Sequence, residues 1–281
     1  SEKKPKKINL NINNWIFNEL VKVKKDVEAK IKEYRFDEAS RLIYQFVWNS
    51  YCDWYLELSK TILYSNDKQK IKETQDVSGF IFTQILILMH PFIPFVTEEI
   101  WLKNKLDKSG KNYLMFSNWI NEKPIKNNEI KNIENIINFT SSLRSFKNEL
   151  NISPGSFVDV SLGSIKNKKS NFYAKNENTL KKIARVNNFF NKDLDKPSAT
   201  MVIGGDIIKV YFEENIDLKI IKENLIKKQN KYNLEMEGIN KRLQNKNFVD
   251  RAPKTVVEQE KNNYNNLKND VKKISLIIQN L

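Results

Sequence analysis

The chain has 281 residues, more than one compact core normally accommodates, and its 40% hydrophobic content with five Trp, ten Tyr and sixteen Phe is enough for two or three packed units rather than a disordered tail. Lys and Arg outnumber Asp and Glu by 48 to 34, a formal net charge of +14; such self-repulsion is offset by a polyanion, which makes nucleic acid the leading partner, with solvated surface lysines as the bland alternative. One cysteine, Cys52, excludes an internal disulfide, one histidine, His90, leaves no zinc set, and the longest apolar run, 81–89, falls short of the roughly 20 residues of a membrane span, so the chain reads as cytosolic with no metal and no membrane partner.

In chain order, the opening Ser1-Glu2-Lys3-Lys4-Pro5-Lys6-Lys7 has no signal-peptide core and reads as internal to a longer protein. A first helix is expected over 13–34, with Trp15, Ile16, Leu20, Val23, Val27 and Ile31 on one stripe. A second follows over 36–64 with Phe36, Ala39, Ile43, Phe46, Val47, Cys52, Tyr55 and Leu58 apolar, long enough to expect a bend between Trp48 and Asp53. Ser65-Asn66-Asp67 caps a third helix over 68–89, which His90-Pro91 stops. Thr97-Glu98-Glu99 then opens a short helix, and after a connector at Ser109-Gly110 a further helix is expected over 128–150. Beyond it the texture changes: 157–162, 199–203 and 207–212 alternate as strands, the last two joined at Gly204-Gly205-Asp206, with a helix over 178–188 among them.

Two helical segments close the chain, separated by a break over 245–253. Val257, Tyr264, Leu267, Val271, Ile274, Ile278 and Leu281 step by three and four, skipping Glu260, as a coiled-coil seam does. Leu218, Ile221, Leu225, Tyr232, Met236, Ile239 and Leu243 answer it, weakened at Lys228 or Gln229. The short connection requires an antiparallel hairpin of roughly 40 Å.

No Gly-rich phosphate loop, no nucleophile paired with a histidine and no metal-ligand spacing is present. Gly204-Gly205-Asp206 precedes no helix start and reads as a turn, and His90 at a helix end reads as structural. The segment 34–60 combines aromatics with Arg35, Arg41 and Lys60. At helical spacing Phe46, Trp48, Trp54 and Tyr55 are core by default, but an exposed aromatic beside a cation suits an unpaired base. Lys241, Arg242, Lys246 and Arg251 gather near the hairpin tip, where a phosphate contact and a solvated flank are both open.

Three strings are more specific. Arg35-Phe-Asp-Glu-Ala39, continuing to Phe46-Val-Trp-Asn-Ser-Tyr-Cys-Asp-Trp-Tyr-Leu-Glu-Leu-Ser-Lys60, resembles the anticodon-binding helices of valyl-tRNA synthetases. His90-Pro-Phe-Ile-Pro-Phe-Val-Thr-Glu-Glu-Ile-Trp101 resembles a string shared among class I synthetases for aliphatic amino acids. Asn247-Phe-Val-Asp-Arg-Ala-Pro-Lys-Thr-Val-Val-Glu-Gln-Glu260 is similar to the tip of the valyl coiled-coil arm, which the isoleucyl and leucyl relatives lack. A chain with only Cys52 cannot build the cysteine-rich zinc unit that commonly ends the isoleucyl enzymes.

The resemblance implies an enzyme that uses ATP and Mg to attach valine to tRNA(Val), and that hydrolyses mischarged threonyl product because a valine pocket rejects an isosteric hydroxyl poorly. The family's ATP-binding signatures, His-Ile-Gly-His and the Lys-Met-Ser-Lys-Ser type, have no counterpart here, so this chain is expected to hold no catalytic centre. Where the family tends to carry Arg in the arm, this chain has Asn and Lys, which cannot reproduce a bidentate Arg contact. The expected fold is mainly α: an anticodon-binding helical bundle over 1–150, whose first helix lies upstream, a small α/β connector over 151–215, and an antiparallel coiled-coil arm over 216–281. Arg35, Arg41 and Lys60 in the bundle, and Lys241, Arg242, Lys246 and Arg251 in the arm, are the expected tRNA contacts of a monomeric protein. A helical protein-interaction module and a stand-alone RNA-binding factor derived from a synthetase are the alternatives.

Overall fold

A computed structural model describes residues 5, 7–104, 106, 113–119, 121–163, 167–203, 206–213, 216–245, 248, 250 and 252–281, with 167–170 and 280 described in backbone alone. The chain is mainly α-helical and forms two compact units, Ser1–Ile137 and Asn138–Leu281, the boundary falling within the helix Ile130–Glu149.

In the first unit α1 (Asn11–Lys32) turns at Tyr34 into α2 (Phe36–Gln45), which continues through a π-helical segment (Phe46–Tyr55) into α3 (Leu56–Leu63). Then come α4 (Lys68–Met89) and α5 (Pro94–Lys103), a 3₁₀ turn (Leu114–Phe116), and the start of α6 (Ile130–Glu149). The helices bury their apolar stripes together: Ile16, Leu20 and Val27 of α1, Ala39 and Ile43 of α2, Val77 and Ile81 of α4. Phe17 and Phe80 stack with centroids 6.3 Å apart.

α1 has no capping side chain of its own at Leu10. Glu73, from α4, supplies the cap, accepting from the backbone N–H of Asn9 (3.0 Å) and Leu10 (2.9 Å) and from Asn13 Nδ2 (3.0 Å). Tyr55 Oη donates to Asn13 Oδ1 at 2.9 Å, so a buried polar network ties α1, the π segment and α4 together. Asp67 caps α4 through Gln69 N and Lys70 N, both at 3.1 Å.

Two expectations change here. The stretch from Trp48 to Asp53, where a bend is expected, lies within ten π-helical residues, a widened turn that brings Phe46, Tyr51 and Tyr55 inward. Trp48, core by default at helical spacing, is exposed, as is Phe36. α5 starts at Pro94 rather than Thr97, because proline is pre-set for the first turn; Thr97 Oγ1 bonds His90 Nδ1 at 2.8 Å.

In the second unit β1 (Val158–Ser161), β2 (Val186–Phe190), β3 (Ala199–Ile203) and β4 (Asp206–Phe212) form a sheet in the order β2-β1-β4-β3, with α7 (Asn167–Ala184) as the crossover between parallel β1 and β2. β1 pairs antiparallel with β4 and β4 with β3, bringing Ile203 opposite Asp206; the Gly204-Gly205 turn lies outside the described residues. The helix expected over 178–188 is thus longer and ends earlier, and 186–190 is a strand. Arg185, at φ 56°, makes the left-handed turn between them. Buried Lys147 caps the end of α7, its Nζ donating to Ser156 O (2.7 Å), Ala184 O (3.3 Å) and Arg185 O (3.4 Å). Burial, and then the nearby Arg185 and Arg144, push its pKa down to about 8.

α8 (Leu218–Gln244), capped by Asp217, and α9 (Lys254–Asn280) pack antiparallel, as cross-bonds from Gln229 to Ser275 and from Arg242 to Glu260 require. Ile221, Leu225, Ile239, Val257, Ile274 and Ile277 are buried. The weak point of the expected seam is filled by the Gln229 Nε2 to Ser275 Oγ bond of 2.7 Å, and Glu260 occupies the skipped position.

Candidate nucleic-acid interface

Helical geometry lines up residues four apart, so Phe36, Ser40, Tyr44 and Trp48 run down one face from α2 into the π segment. That face is turned to solvent: Trp48 is 55% exposed, and Phe36 and Tyr44 are exposed with it. The Tyr44 and Trp48 rings lie parallel, 3° between planes and 6.4 Å between centroids. Beside them a groove of about 550 Å³ is lined by Arg41, Tyr44, Val47 and Trp48 and, across from them, by Met89 and Ile93. Flat, rigid rings flanking an apolar groove with a cation at its edge make a surface for unpaired bases.

The corner before α2 extends this face. Arg35 N bonds Lys30 O at 2.9 Å and Tyr34 N bonds Ile31 O at 3.0 Å, the double bond that closes a helix with one left-handed residue. That residue is Tyr34, at φ 58°, where glycine is the unstrained choice. Its ring is 82% exposed and meets Phe36 edge-on at 6.4 Å. The left-handed turn at Tyr34 closes α1, and it leaves the ring in solvent at the edge of the Phe36–Tyr44–Trp48 face.

Arg35 sits at this corner with its guanidinium on Glu38. Lys30 shares Glu38 at 3.2 Å and binds Glu33 at 2.9 Å; its bonds, first to Glu33 and then to Glu38, raise the Lys30 pKa, and the bond from Lys30 lowers that of Glu33. Arg41 is exposed on the groove edge and makes no ion pair among the described residues. Lys60 is exposed on α3 and paired with Glu57. The helix separates it from Arg41 by roughly 28 Å, at about 1.5 Å per residue. The structure therefore gathers Arg35 and Arg41 on one face and leaves Lys60 apart.

In the second unit, Lys241 and Arg242 occupy the exposed last turn of α8, where cations favour the helix dipole. Arg242 Nη1 lies 3.1 Å from Glu260 Oε1. Lys246 and Arg251 lie outside the described residues. Among the described residues no group of three or more His, Cys, Asp or Glu is arranged to hold a metal, and no helix is long and apolar enough to cross a membrane.

Sequence reasoning did not single out Tyr34 or Tyr44, and it listed Phe36 only among the apolar residues of its helix. The available signal was the four-residue spacing of Phe36, Tyr44 and Trp48 around Arg41, a second apolar stripe beside the Ala39–Ile43–Phe46 stripe that one core has no room to bury.

The family profile described as anticodon-binding domain of tRNA ligase matches residues 13–162, and the profile described as valyl tRNA synthetase tRNA binding arm matches residues 217–281. The chain is 56% identical over 274 residues to a valine-tRNA ligase of Pelagibacter ubique (strain HTCC1062), covering 98% of this chain and 31% of that protein. It is 32% identical over 283 residues to one of Bartonella quintana (strain Toulouse), covering 99% and 31%. A third, of Prochlorococcus marinus subsp. pastoris (strain CCMP1986 / NIES-2087 / MED4), is 32% identical over 254 residues, covering 87% and 28%. The chain spans about a third of the length of these curated relatives. Its bundle, its paired carboxyl-terminal helices and these matches together mean that the chain belongs to the valyl-tRNA synthetase family, of which it holds an anticodon-binding domain and a tRNA-binding arm.

Proposed function

We propose that this chain is the tRNA-reading portion of a valine-tRNA ligase, an enzyme that attaches valine to tRNA(Val) with ATP and Mg and hydrolyses mischarged threonyl-tRNA(Val). Residues 1–150 would hold the anticodon loop, 151–215 would connect, and 216–281 would rest on the outer corner of the folded tRNA. The whole protein would act as a monomer in the cytoplasm.

The observation that carries this reading is the parallel, exposed Tyr44–Trp48 pair beside Arg41 and its groove. Unpaired anticodon bases need stacking surfaces with a nearby cation, and a helix face that serves only packing does not expose two parallel rings. Arg35, at the adjoining corner, would add phosphate affinity. Lys241, Arg242, Lys246 and Arg251 would do the same at the arm, where residues 241–254 hold five cations, these four and Lys254, against Asp250. Lys60 would lie at the periphery.

The test is a filter-binding titration of the full-length protein with tRNA carrying a valine anticodon and with an unrelated tRNA, at rising salt, alongside a valine-charging assay. Preferential binding that weakens steeply with salt is expected. Equal affinity for both tRNAs with no salt dependence would falsify the proposal and favour a protein-interaction module.

A further inference from the structure

A second groove opens in the first unit between α1 and the helix formed by α2 and the π segment. It holds about 230 Å³ and is lined by Glu19 and Asp26 of α1 and, across from them, by Gln45 and Asn49. Gln45 and Asn49 each follow one ring of the Tyr44–Trp48 pair in the chain, so the groove adjoins that pair at the next position around the helix. Buried Val23 and Phe46 give it an apolar wall. Counted from the turn at Tyr34, Glu19 and Asn49 are equally distant, which sets them opposite each other in the helical hairpin.

The polar side chains of this groove are without partners. α1 carries five lysines and three acids. Glu28 takes two of the lysines, Lys24 at 2.7 Å and Lys32 at 3.5 Å. The side chains of Glu19 and Asp26, the two acids in the groove, make no hydrogen bond or ion pair among the described residues, and neither do those of Gln45 and Asn49. Burial raises the Glu19 carboxyl pKa, with nearby Lys22 opposing it and Glu134 adding to it. A carboxylate desolvated without a partner is a cost that a ligand offering N–H donors removes.

The groups present select the ligand. Two carboxylates repel phosphate, so the part of an RNA that enters is a base. A metal ion gains nothing from amide N–H groups, whereas a base with an exocyclic amine uses both kinds of group. Valine codons begin with G and U, so the anticodon bases that pair with those positions are C and A. Both carry an amine beside a ring nitrogen, but cytosine adds a second adjacent acceptor, O2, for the second N–H of one amide. We propose that the groove takes the third anticodon base, cytosine, and reads its Watson–Crick edge: Glu19 accepts from the N4 amine, Asn49 donates to N3 and O2, and a neighbouring base stacks on Trp48. This rests on the reading of the chain as the tRNA-reading portion of a valine-tRNA ligase.

The test measures kcat/KM for valine charging by the full-length protein on three tRNAs: one with a valine anticodon, one with its third base changed from C to U, and one with its middle base changed from A to inosine. The parent should lose about tenfold or more on the C-to-U tRNA. Glu19→Gln, whose amide can donate to uracil O4, should shrink that penalty by about tenfold and leave the inosine penalty where it is. Asn49→Ala, at an exposed position that folding does not depend on, should shrink the same penalty, and Glu28→Gln on the same helix should change neither. A parent indifferent to the C-to-U change, an equal loss on all three tRNAs in Glu19→Gln and Asn49→Ala, or a C-to-U penalty that neither variant moves overturns the assignment of the groove. If the parent charges none of the tRNAs with valine, the ligase reading itself fails.

Discussion

Replacing Trp48 by alanine removes one ring of the parallel Tyr44–Trp48 pair without opening the core, because Trp48 lies outside the buried set that includes Phe46 and Tyr55. Stacking on an aromatic is worth roughly 1–3 kcal/mol per base, so the dissociation constant for tRNA with a valine anticodon should rise about 5- to 150-fold. Stacking releases no counterions. The slope of log affinity against log salt should therefore stay where it is in Trp48→Ala, whereas Arg41→Ala should lower its magnitude by about 0.7, the value for one phosphate contact on a single strand. Trp48→Phe keeps a ring and should recover most of the affinity. Filter binding at salt from about 50 to 200 mM gives both numbers, and thermal unfolding supplies the control: Trp48→Ala should cost less than about 1 kcal/mol, against roughly 3–5 for buried Phe46→Ala. Two results refute the reasoning: a Trp48→Ala affinity within twofold of the parent, or a loss of stability matching that of Phe46→Ala. The first means the rings stack on nothing, the second that they are core after all.

Tyr55→Phe leaves Asn13 Oδ1 buried without its 2.9 Å donor and should cost about 1–3 kcal/mol in denaturant unfolding; an unchanged midpoint would mean the oxygen is satisfied otherwise. Glu73→Ala uncaps α1 from α4 and should cost about 1–2 kcal/mol, with amide exchange of residues 9–13 accelerating before that of the rest of α1. Lys147 has a folded pKa of about 8, below the ordinary lysine value, so between pH 8 and the ordinary range the unfolded chain binds more protons and stability from this group rises with pH. Measured against Lys147→Met, the parent should gain stability on going from pH 8 to 10, and parallel profiles would show that the buried amine does not titrate there.

The long elements were legible where punctuation and periodicity agree. The range 68–89 is fixed by Asp67 accepting from two backbone N–H groups and by Pro91, and both the cap and the stop are local chemistry. The paired carboxyl-terminal helices were legible because a three-four step over 27 residues has no other physical use than a seam. The ends of α7 and β2 were not, because the helix is terminated by Arg185 in a left-handed conformation instead of a glycine, and the stabilising partner is Lys147, 38 residues away. A distant cap leaves no local signal, and the same holds for Glu73 at α1. The π segment also escaped, since its register is set by where Phe46, Tyr51 and Tyr55 find space in the bundle. For the candidate site, Arg35 and Arg41 were found by residue type. Tyr34, Phe36 and Tyr44 were not, because an exposed aromatic and a buried one have the same period, and only tertiary packing decides which stripe faces inward.

The two paired helices of the arm show how the chain sets geometry with groups that do not maximise stability. Ile221, Leu225, Ile239, Val257 and Ile274 form an apolar seam that alone would tolerate a slip of one heptad, about 10 Å along the axis at 1.5 Å per residue. Gln229–Ser275 at 2.7 Å and Arg242–Glu260 at 3.1 Å belong to one antiparallel register, and any slip breaks both. Apolar residues at these positions would hold the helices at least as tightly, and Glu260 Oε2 is buried without a hydrogen bond, a cost the seam bears. What the polar pairs add is a defined end point. In a hairpin of roughly 40 Å with Lys241 and Arg242 in the last turn of α8, contact with a folded RNA depends on where that turn is held, and register is the property that fixes it.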